Sequence, residues 1–340
     1  MSQRFASEED LAAAAPKLRA LREALNQVLF GQEGLIDDVL AGLLARGHLL
    51  LEGLPGLGKT ELVKGIARAL GLSAKRVQFT PDLLPGDITG NPILGDEGGQ
   101  RRFIFQPGPI FANLVLADEI NRASPKTQSA LLEAMQERQV TVMGETRALP
   151  DPFFVLATQN PIELEGTYPL PEAQLDRFLF KIEIHRSPVA VLEKIVQNRE
   201  IGVAPEIAQV LTADEFRELI SLARRIYLPD VVANFIARFV HATHPESSPA
   251  AEGVKFGASP RAALALAAAS KARALWAGRL NASFEDVQAI AKPVLRHRII
   301  LDYRARVAGR TTDDVVAGIL EQVKPGGAAL PTTLLSAKIQ

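Results

Sequence analysis

One run of eight residues constrains this chain more than any other feature: Gly53-Leu54-Pro55-Gly56-Leu57-Gly58-Lys59-Thr60. It fills the phosphate-loop pattern G-x-x-x-x-G-K-[ST] completely, and its flanks agree with it. His48-Leu49-Leu50-Leu51-Glu52 before it reads as a short buried strand. After it, Leu62, Val63, Ile66, Ala67 and Leu70 recur at helical spacing. A glycine-rich turn between strand and helix lets backbone N–H groups wrap phosphates, and the helix N-terminus adds partial positive charge. The expected nucleotide-binding set is Gly53, Pro55, Gly56, Leu57, Gly58, Lys59, Thr60 and Glu61. Lys59 is expected on the β- and γ-phosphates and the Thr60 hydroxyl on Mg²⁺. A glycine-rich turn with no ligand is the plain alternative, and the agreement of pattern with context weighs against it.

A phosphate loop needs a sheet to carry it, and residues 15–185 supply one. Leu18, Leu21, Arg22 and Leu25 read as an amphipathic helix, and Val77-Gln78-Phe79 as a strand. Leu114-Val115-Leu116-Ala117 and Phe153-Phe154-Val155-Leu156-Ala157 are wholly apolar, as buried parallel strands are. Strand–helix alternation predicts the α/β class, an αβα sandwich on a parallel sheet. Two stretches break the rhythm and read as inserted β-hairpins, about 88–106, a glycine-rich polar insertion with Gly95, Gly98 and Gly99, and 139–150, around Gly144-Glu145. Past Pro188 strand signals stop. Thr212-Ala213-Asp214-Glu215 and Ser283-Phe284-Glu285-Asp286 are capping boxes, Ser259-Pro260 opens a helix, and Arg261 to Trp276 is alanine-rich. The predicted organisation is a nucleotide-binding domain over 1–187, an all-α domain over 188–325 and a loose tail over 326–340.

The chemistry beyond the loop starts at Asp118-Glu119, which ends the apolar strand about sixty residues after it. Transfer of a phosphoryl group to water needs one carboxylate to hold Mg²⁺ and another to orient or deprotonate the water. Asp118 suits the first task and Glu119 the second. Asn160 ends the next buried strand, where a neutral amide could position the attacking water; the alternative is a turn residue before Pro161. With no Asn-Lys-x-Asp element in the chain, ATP is expected rather than GTP. Arg177 reads equally as an arginine supplied to a neighbouring site or as a surface pair with Asp176. Arg261 stands in the first turn of a helix, against the dipole, so either a partner outside the helix holds it there or it is a solvated arginine. His48, His185, His241, His244 and His297 are scattered and read as surface residues rather than metal ligands.

Composition excludes several classes. Cysteine is absent, so thiolate nucleophiles and disulfides are ruled out, in keeping with a cytoplasmic protein. With 38 Lys+Arg against 39 Asp+Glu, nothing pulls the whole chain toward nucleic acid or an anionic membrane, and nucleic acid is not expected as a partner. Every long apolar stretch contains charges, and the acidic N-terminal residues are unlike a signal peptide, so no membrane insertion is expected.

With these residues in view the chain resembles the MoxR family of AAA+ ATPases, from Gly31-Gln32 to the helix after Arg261. Asp118-Glu119-Ile120-Asn121-Arg122-Ala123 and Gly166-Thr167-Tyr168-Pro169-Leu170-Pro171-Glu172-Ala173-Gln174 carry the resemblance. It implies a P-loop AAA+ αβα domain followed by a helical lid, with ATP hydrolysed in the presence of Mg²⁺. It implies Asn160 as sensor 1, Arg177 as the arginine finger, Arg261 as sensor 2, and Gly31 and Gln32 along the adenine pocket. The hairpins become the helix-2 insert and the pre-sensor-1 hairpin, which face the central pore in related rings. It further implies a homo-oligomeric ring, expected as a hexamer, a von Willebrand factor A domain protein as partner, and chaperone-like remodelling of a client protein. A DNA-dependent motor, a magnesium-chelatase-like subunit and a nucleotide-gated scaffold with negligible turnover are the rival readings. Intact Glu119 and Arg177 argue against the last.

Overall fold

The computed structural model describes residues 5–27, 30–54, 56, 58–97, 100–160, 167–186, 188–198, 200 and 207–325. Pro55, Leu57, Gly98, Gly99, Gly166 and the tail over 326–340 lie outside the described residues. The chain opens with α1 (Glu8–Asn26) and α2 (Glu33–Leu44), then β1 (Leu49–Glu52), α3 (Lys59–Ala69) and β2 (Ala74–Gln78). A short α4 (Pro85–Thr89) leads to β3 (Gly90–Glu97) and β4 (Gln100–Pro107), followed by β5 (Leu114–Asp118) and α5 (Pro125–Glu137). Next come β6 (Gln139–Val142), β7 (Glu145–Ala148), β8 (Phe154–Gln159), α6 (Glu172–Leu175) and β9 (Phe180–Glu183). The remainder is α7 (Val189–Asn198), α8 (Ala213–Arg225), α9 (Asp230–His241), β10 (Val254–Phe256), α10 (Pro260–Trp276), α11 (Phe284–Leu295), β11 (Ile300–Leu301), α12 (Tyr303–Val307) and α13 (Thr312–Gln322).

Five parallel strands form one sheet in the order β2-β5-β8-β1-β9. Alternate side chains along the central strands β1, β5 and β8 feed two separate cores. Leu49, Leu51, Leu116, Leu156 and Phe180 enter one with α1, α2, α3 and the C-terminal helices. Leu50, Val115, Ala117, Val155 and Ala157 enter the other with α5. A sheet that is apolar on both faces must be covered on both, which makes the sandwich. The capping boxes at Thr212 and Ser283 form, and Ser259 takes the N-cap position of α10, without a side-chain capping bond, with Pro260 behind it. Trp276 ends α10 in the core and donates to Asp37 of α2 at 2.6 Å, tying the helical unit to the front of the chain.

The structure adds one strand to the expected sheet and corrects three readings. The sheet has an edge strand, β9, that no apolar run announces; Phe180 and Ile182 alternate with Lys181 and Glu183 because an edge strand shows one side to water. The C-terminal region is not wholly helical, since β10 and β11 pair antiparallel over three and two residues, too short to leave a periodic signal. His48 and His297 are buried, at 6% exposure each; backbone groups satisfy both ring nitrogens of His48 and the Nε2 of His297, whose Nδ1 is buried without a partner among the described residues. The β3–β4 ribbon is polar toward its tip, where Asp96 is in register with Arg101 and Glu97 with Gln100, but apolar along its middle: Leu94 stands opposite Phe103, and they are 59% and 68% exposed. Two strands with no sheet behind them cannot bury such a pair. The base of this ribbon is held in place by buried Ile88 and Ile110, and that of the β6–β7 ribbon by Val140 and Leu149.

Candidate active site

Strand order places the functional groups. The ends of β1, β8, β5 and β2 lie along one edge of the sheet, so Gly53, Asn160, Asp118 and Gln78 reach the same side. There the chain turns through Gly56 and Gly58, at φ +82° and +81°, a left-handed conformation that a side chain would strain. Gly58 is the residue capping α3, so the helix N-terminus opens directly on the turn. The Lys59 ammonium donates to the Gly53 carbonyl at 2.6 Å and closes the loop on itself. Burial pushes its pKa down from the usual value, opposed by the carboxylates of Asp118, Glu119 and Glu52.

Thr158 braces both carboxylate residues. Its hydroxyl donates to Asp118 Oδ1 at 2.6 Å and accepts the Glu119 N–H at 2.9 Å. Glu119 itself sits at φ 58°, ψ 50°, left-handed for a residue with a side chain. Such a conformation costs on the order of 1–3 kcal/mol and persists where surrounding contacts over-determine it. The Glu119 carboxylate accepts from Gln78 Nε2 at 2.6 Å and pairs with Arg122 Nε at 3.2 Å. Asp118 Oδ2 accepts from Arg76 Nε at 3.1 Å and Nη2 at 2.6 Å.

Gly56, Gly58, Lys59, Thr60, Glu61, Asp118, Glu119 and Asn160 surround one cavity of about 400 Å³, joined by Arg76 and Gln78. The Thr60 hydroxyl and the Asp118 carboxylate are oxygen donors of the kind Mg²⁺ takes, with phosphate and water completing its shell. They fit the metal, which would share Asp118 with Arg76 and neutralise phosphate charge. Sequence reasoning missed Arg76, Gln78 and Thr158. The first two lie on β2, and nothing local reveals that β2 is the neighbour of β5.

Gly31 and Gln32 do not line this cavity. They precede α2, where Gly31 lies at φ +64° and a Cβ would stand 2.2 Å from a Val191 methyl of α7. The Gln32 Oε1 atom is buried with no hydrogen-bond partner among the described residues, an acceptor suited to an amino group. Arg177 and Arg261 are also elsewhere. They line a second cavity of about 190 Å³ together with His48, Met135 and Gln136. His48 precedes β1 and Arg177 precedes β9, whose first residue pairs with the first of β1, so this cavity lies at the opposite sheet edge from the phosphate loop. Arg177 donates to the Leu132 carbonyl at 2.8 Å, and Asp176 pairs with Arg298 and Arg261 rather than with Arg177.

A parallel sheet with a phosphate loop after its fourth strand in spatial order, and an acidic pair on the strand two places away, defines a P-loop ATPase of the AAA+ class. The profile of the ATPase family associated with various cellular activities (AAA) matches residues 48–180, and that of the AAA lid domain matches 247–319. Chaperone MoxR1 of Mycobacterium tuberculosis is 43% identical over 321 residues, covering 93% of this chain and 84% of that protein. Protein MoxR of Paracoccus denitrificans is 32% identical over 308 residues, covering 84% and 89%. A crystal structure of a Cytophaga hutchinsonii protein, 37% identical, superposes with a TM-score of 0.87 and covers 93% and 97% of the two chains. The chain belongs to the MoxR family of AAA+ ATPases and hydrolyses ATP.

Proposed function

We propose that this ATPase works as a ring of identical subunits, expected as a hexamer, whose ATP sites lie between neighbours, and that the cycle remodels a client protein. The observation that carries the reading is the placement of Arg177 and Arg261 at the sheet edge opposite the phosphate loop. Four strand residues span roughly 13 Å at 3.3 Å each, so neither arginine faces the phosphates of its own chain. Arg261 is 62% exposed at its side chain and so is accessible to a neighbour.

In that arrangement the glycines, Lys59 and the α3 N-terminus hold the phosphates, and Gln32 accepts from the adenine amino group. Thr60 and Asp118 hold Mg²⁺, which neutralises charge on the phosphates. Glu119 takes the proton of the attacking water, Asn160 orients that water, and the neighbour's Arg177 stabilises charge on the transferred group, with Arg261 beside it. The nucleotide-binding unit is taken as 1–187, the lid as 188–325 and the tail as 326–340.

Remodelling of a protein client is supported by the name of the M. tuberculosis relative and by the β3–β4 ribbon, whose exposed Leu94–Phe103 pair suits an apolar peptide better than a phosphate backbone. A von Willebrand factor A domain protein is the proposed partner and the cytoplasm the proposed location; among the described residues no helix is long and apolar enough to cross a membrane. The reading is tested by assembly dependence. Specific ATPase activity should rise with protein concentration. Mixing Arg177→Ala with Glu119→Gln subunits should restore activity, since one interface then joins an intact arginine to an intact Glu119. A monomer that turns over at a concentration-independent rate, untouched by Arg177→Ala, would refute it.

A further inference from the structure

The segment carrying Arg177 is held from the lid. Arg298 lies in the turn between α11 and β11, and only 4% of its side chain is exposed. Its Nε donates to Asp176 Oδ1 at 2.7 Å. Nη2 donates to the Phe178 carbonyl at 2.7 Å and the Asp176 carbonyl at 3.3 Å, and Nη1 to the Leu179 carbonyl at 3.0 Å and to the Val294 carbonyl. All five N–H groups of the guanidinium are thereby used, four of them on residues 176–179. The neighbouring His297 adds a bond from Nε2 to the Phe178 carbonyl at 3.0 Å. Burial drives its pKa well below the usual value, so the ring is a neutral donor rather than a second cation.

The two carbonyls flanking Arg177 in sequence, those of Asp176 and Phe178, are therefore both fixed by one lid side chain. Asp176 divides its carboxylate, giving Oδ1 to Arg298 and Oδ2 to Arg261 at 3.6 Å. A buried ion pair is a poor source of net stability, because desolvation offsets most of the attraction; well-packed apolar residues would hold lid and sheet together as firmly. What a planar five-donor group adds is geometry.

We infer that Arg298 is a positioning residue for Arg177: from the lid, it sets the backbone on both sides of that arginine. The lid and the arginine offered to the neighbouring site then move as one piece. This rests on Arg177 serving hydrolysis, as proposed above.

A double-mutant cycle on the full chain tests it, with steady-state turnover and equilibrium ATP binding measured for the parent, Arg298→Lys, Arg177→Ala and the double variant. Lysine keeps the charge but cannot span these acceptors. Arg298→Lys should lower kcat roughly ten- to hundredfold, the usual cost of misplacing a reacting group, with ATP affinity changed by no more than about twofold. In the Arg177→Ala background the same substitution should cost no more than about twofold, because the residue it positions is gone. Equal losses in both backgrounds, unchanged turnover, or weakened ATP binding would overturn the inference. Should Arg298→Lys not fold, Asp176→Asn, which is isosteric, enters the same cycle with the same expectation; if neither folds, the cluster is a structural brace and the inference falls. If Arg177→Ala by itself leaves turnover intact, the role given to Arg177 fails, an outcome distinct from a large Arg177 effect that Arg298 merely multiplies.

Discussion

With Glu119 as the proposed base, replacing it by glutamine separates the chemical step from everything else the residue does. The substitution keeps the length and one acceptor oxygen, so the bond from Gln78 at 2.6 Å can persist. What is lost outright is the pair with Arg122 at 3.2 Å, whose side chains are 38% and 23% exposed for Arg122 and Glu119. An exposed pair of this kind contributes on the order of 0–1 kcal/mol, so stability should move by no more than that. The left-handed backbone is held by the Glu119 N–H bond to Thr158, which the substitution does not touch. With the phosphates on Lys59 and the α3 N-terminus, as proposed, ATP binding should stay close to the parent value. Loss of a general base costs roughly 10²–10⁴ in rate, or about 3–5 kcal/mol in the barrier. That is several times the largest effect on stability and in a different observable. The assay is equilibrium binding of ATP beside steady-state release of phosphate, with thermal unfolding as the control. Turnover within threefold of the parent, with binding and unfolding unchanged, would remove Glu119 from the chemistry.

Three further outcomes follow from the same geometry. Lys59→Ala should weaken ATP binding itself by about tenfold or more, since a charge-assisted phosphate contact of roughly 1.5–3 kcal/mol is lost in the ground state; unchanged affinity by titration calorimetry would move the site elsewhere. Shortening the β3–β4 ribbon from Gly95 to Gly99 should leave the melting temperature and ATP affinity near the parent values, because Ile88 and Ile110 anchor the base, while client or partner coupling falls; gross unfolding would make the ribbon structural. Burial holds the His48 imidazole down at about 4 from 6.5, the Met135 carbonyl opposing, so its stabilising contribution, on the order of 3 kcal/mol, is complete above pH 6.5 and is lost as pH falls to about 4. Asp38, pushed up to about 6 by burial, works in the opposite sense over much of that window, so the check is the ring-nitrogen titration of His48 by NMR, and a midpoint near 6.5 would refute the assignment.

The sequence alone determined whatever a short stretch of chain decides by its own geometry. The phosphate loop is legible because its glycines, its lysine and the flanking strand and helix are contiguous. Asp118 and Glu119 are legible because an apolar strand must end where its side chains meet water, and the capping boxes at Thr212 and Ser283 because each closes within one turn. Edge strand β9 is the counter-example within the sheet, since one-sided burial leaves only Phe180 and Ile182 as a trace. Strand order is not written locally. Only the pairing of β2 with β5 brings Arg76 and Gln78 onto the acidic pair, across 42 and 41 residues of chain. Only burial against Met135 and Val155 shows that His48 is a core residue. Asp176 and Arg177 are adjacent in sequence, and that adjacency suggested an ion pair. The folded chain instead turns Asp176 toward Arg298, 122 residues on, because a partly buried carboxylate takes the partner that tertiary packing brings within hydrogen-bond reach, and Arg177 is left at the sheet edge opposite the phosphate loop.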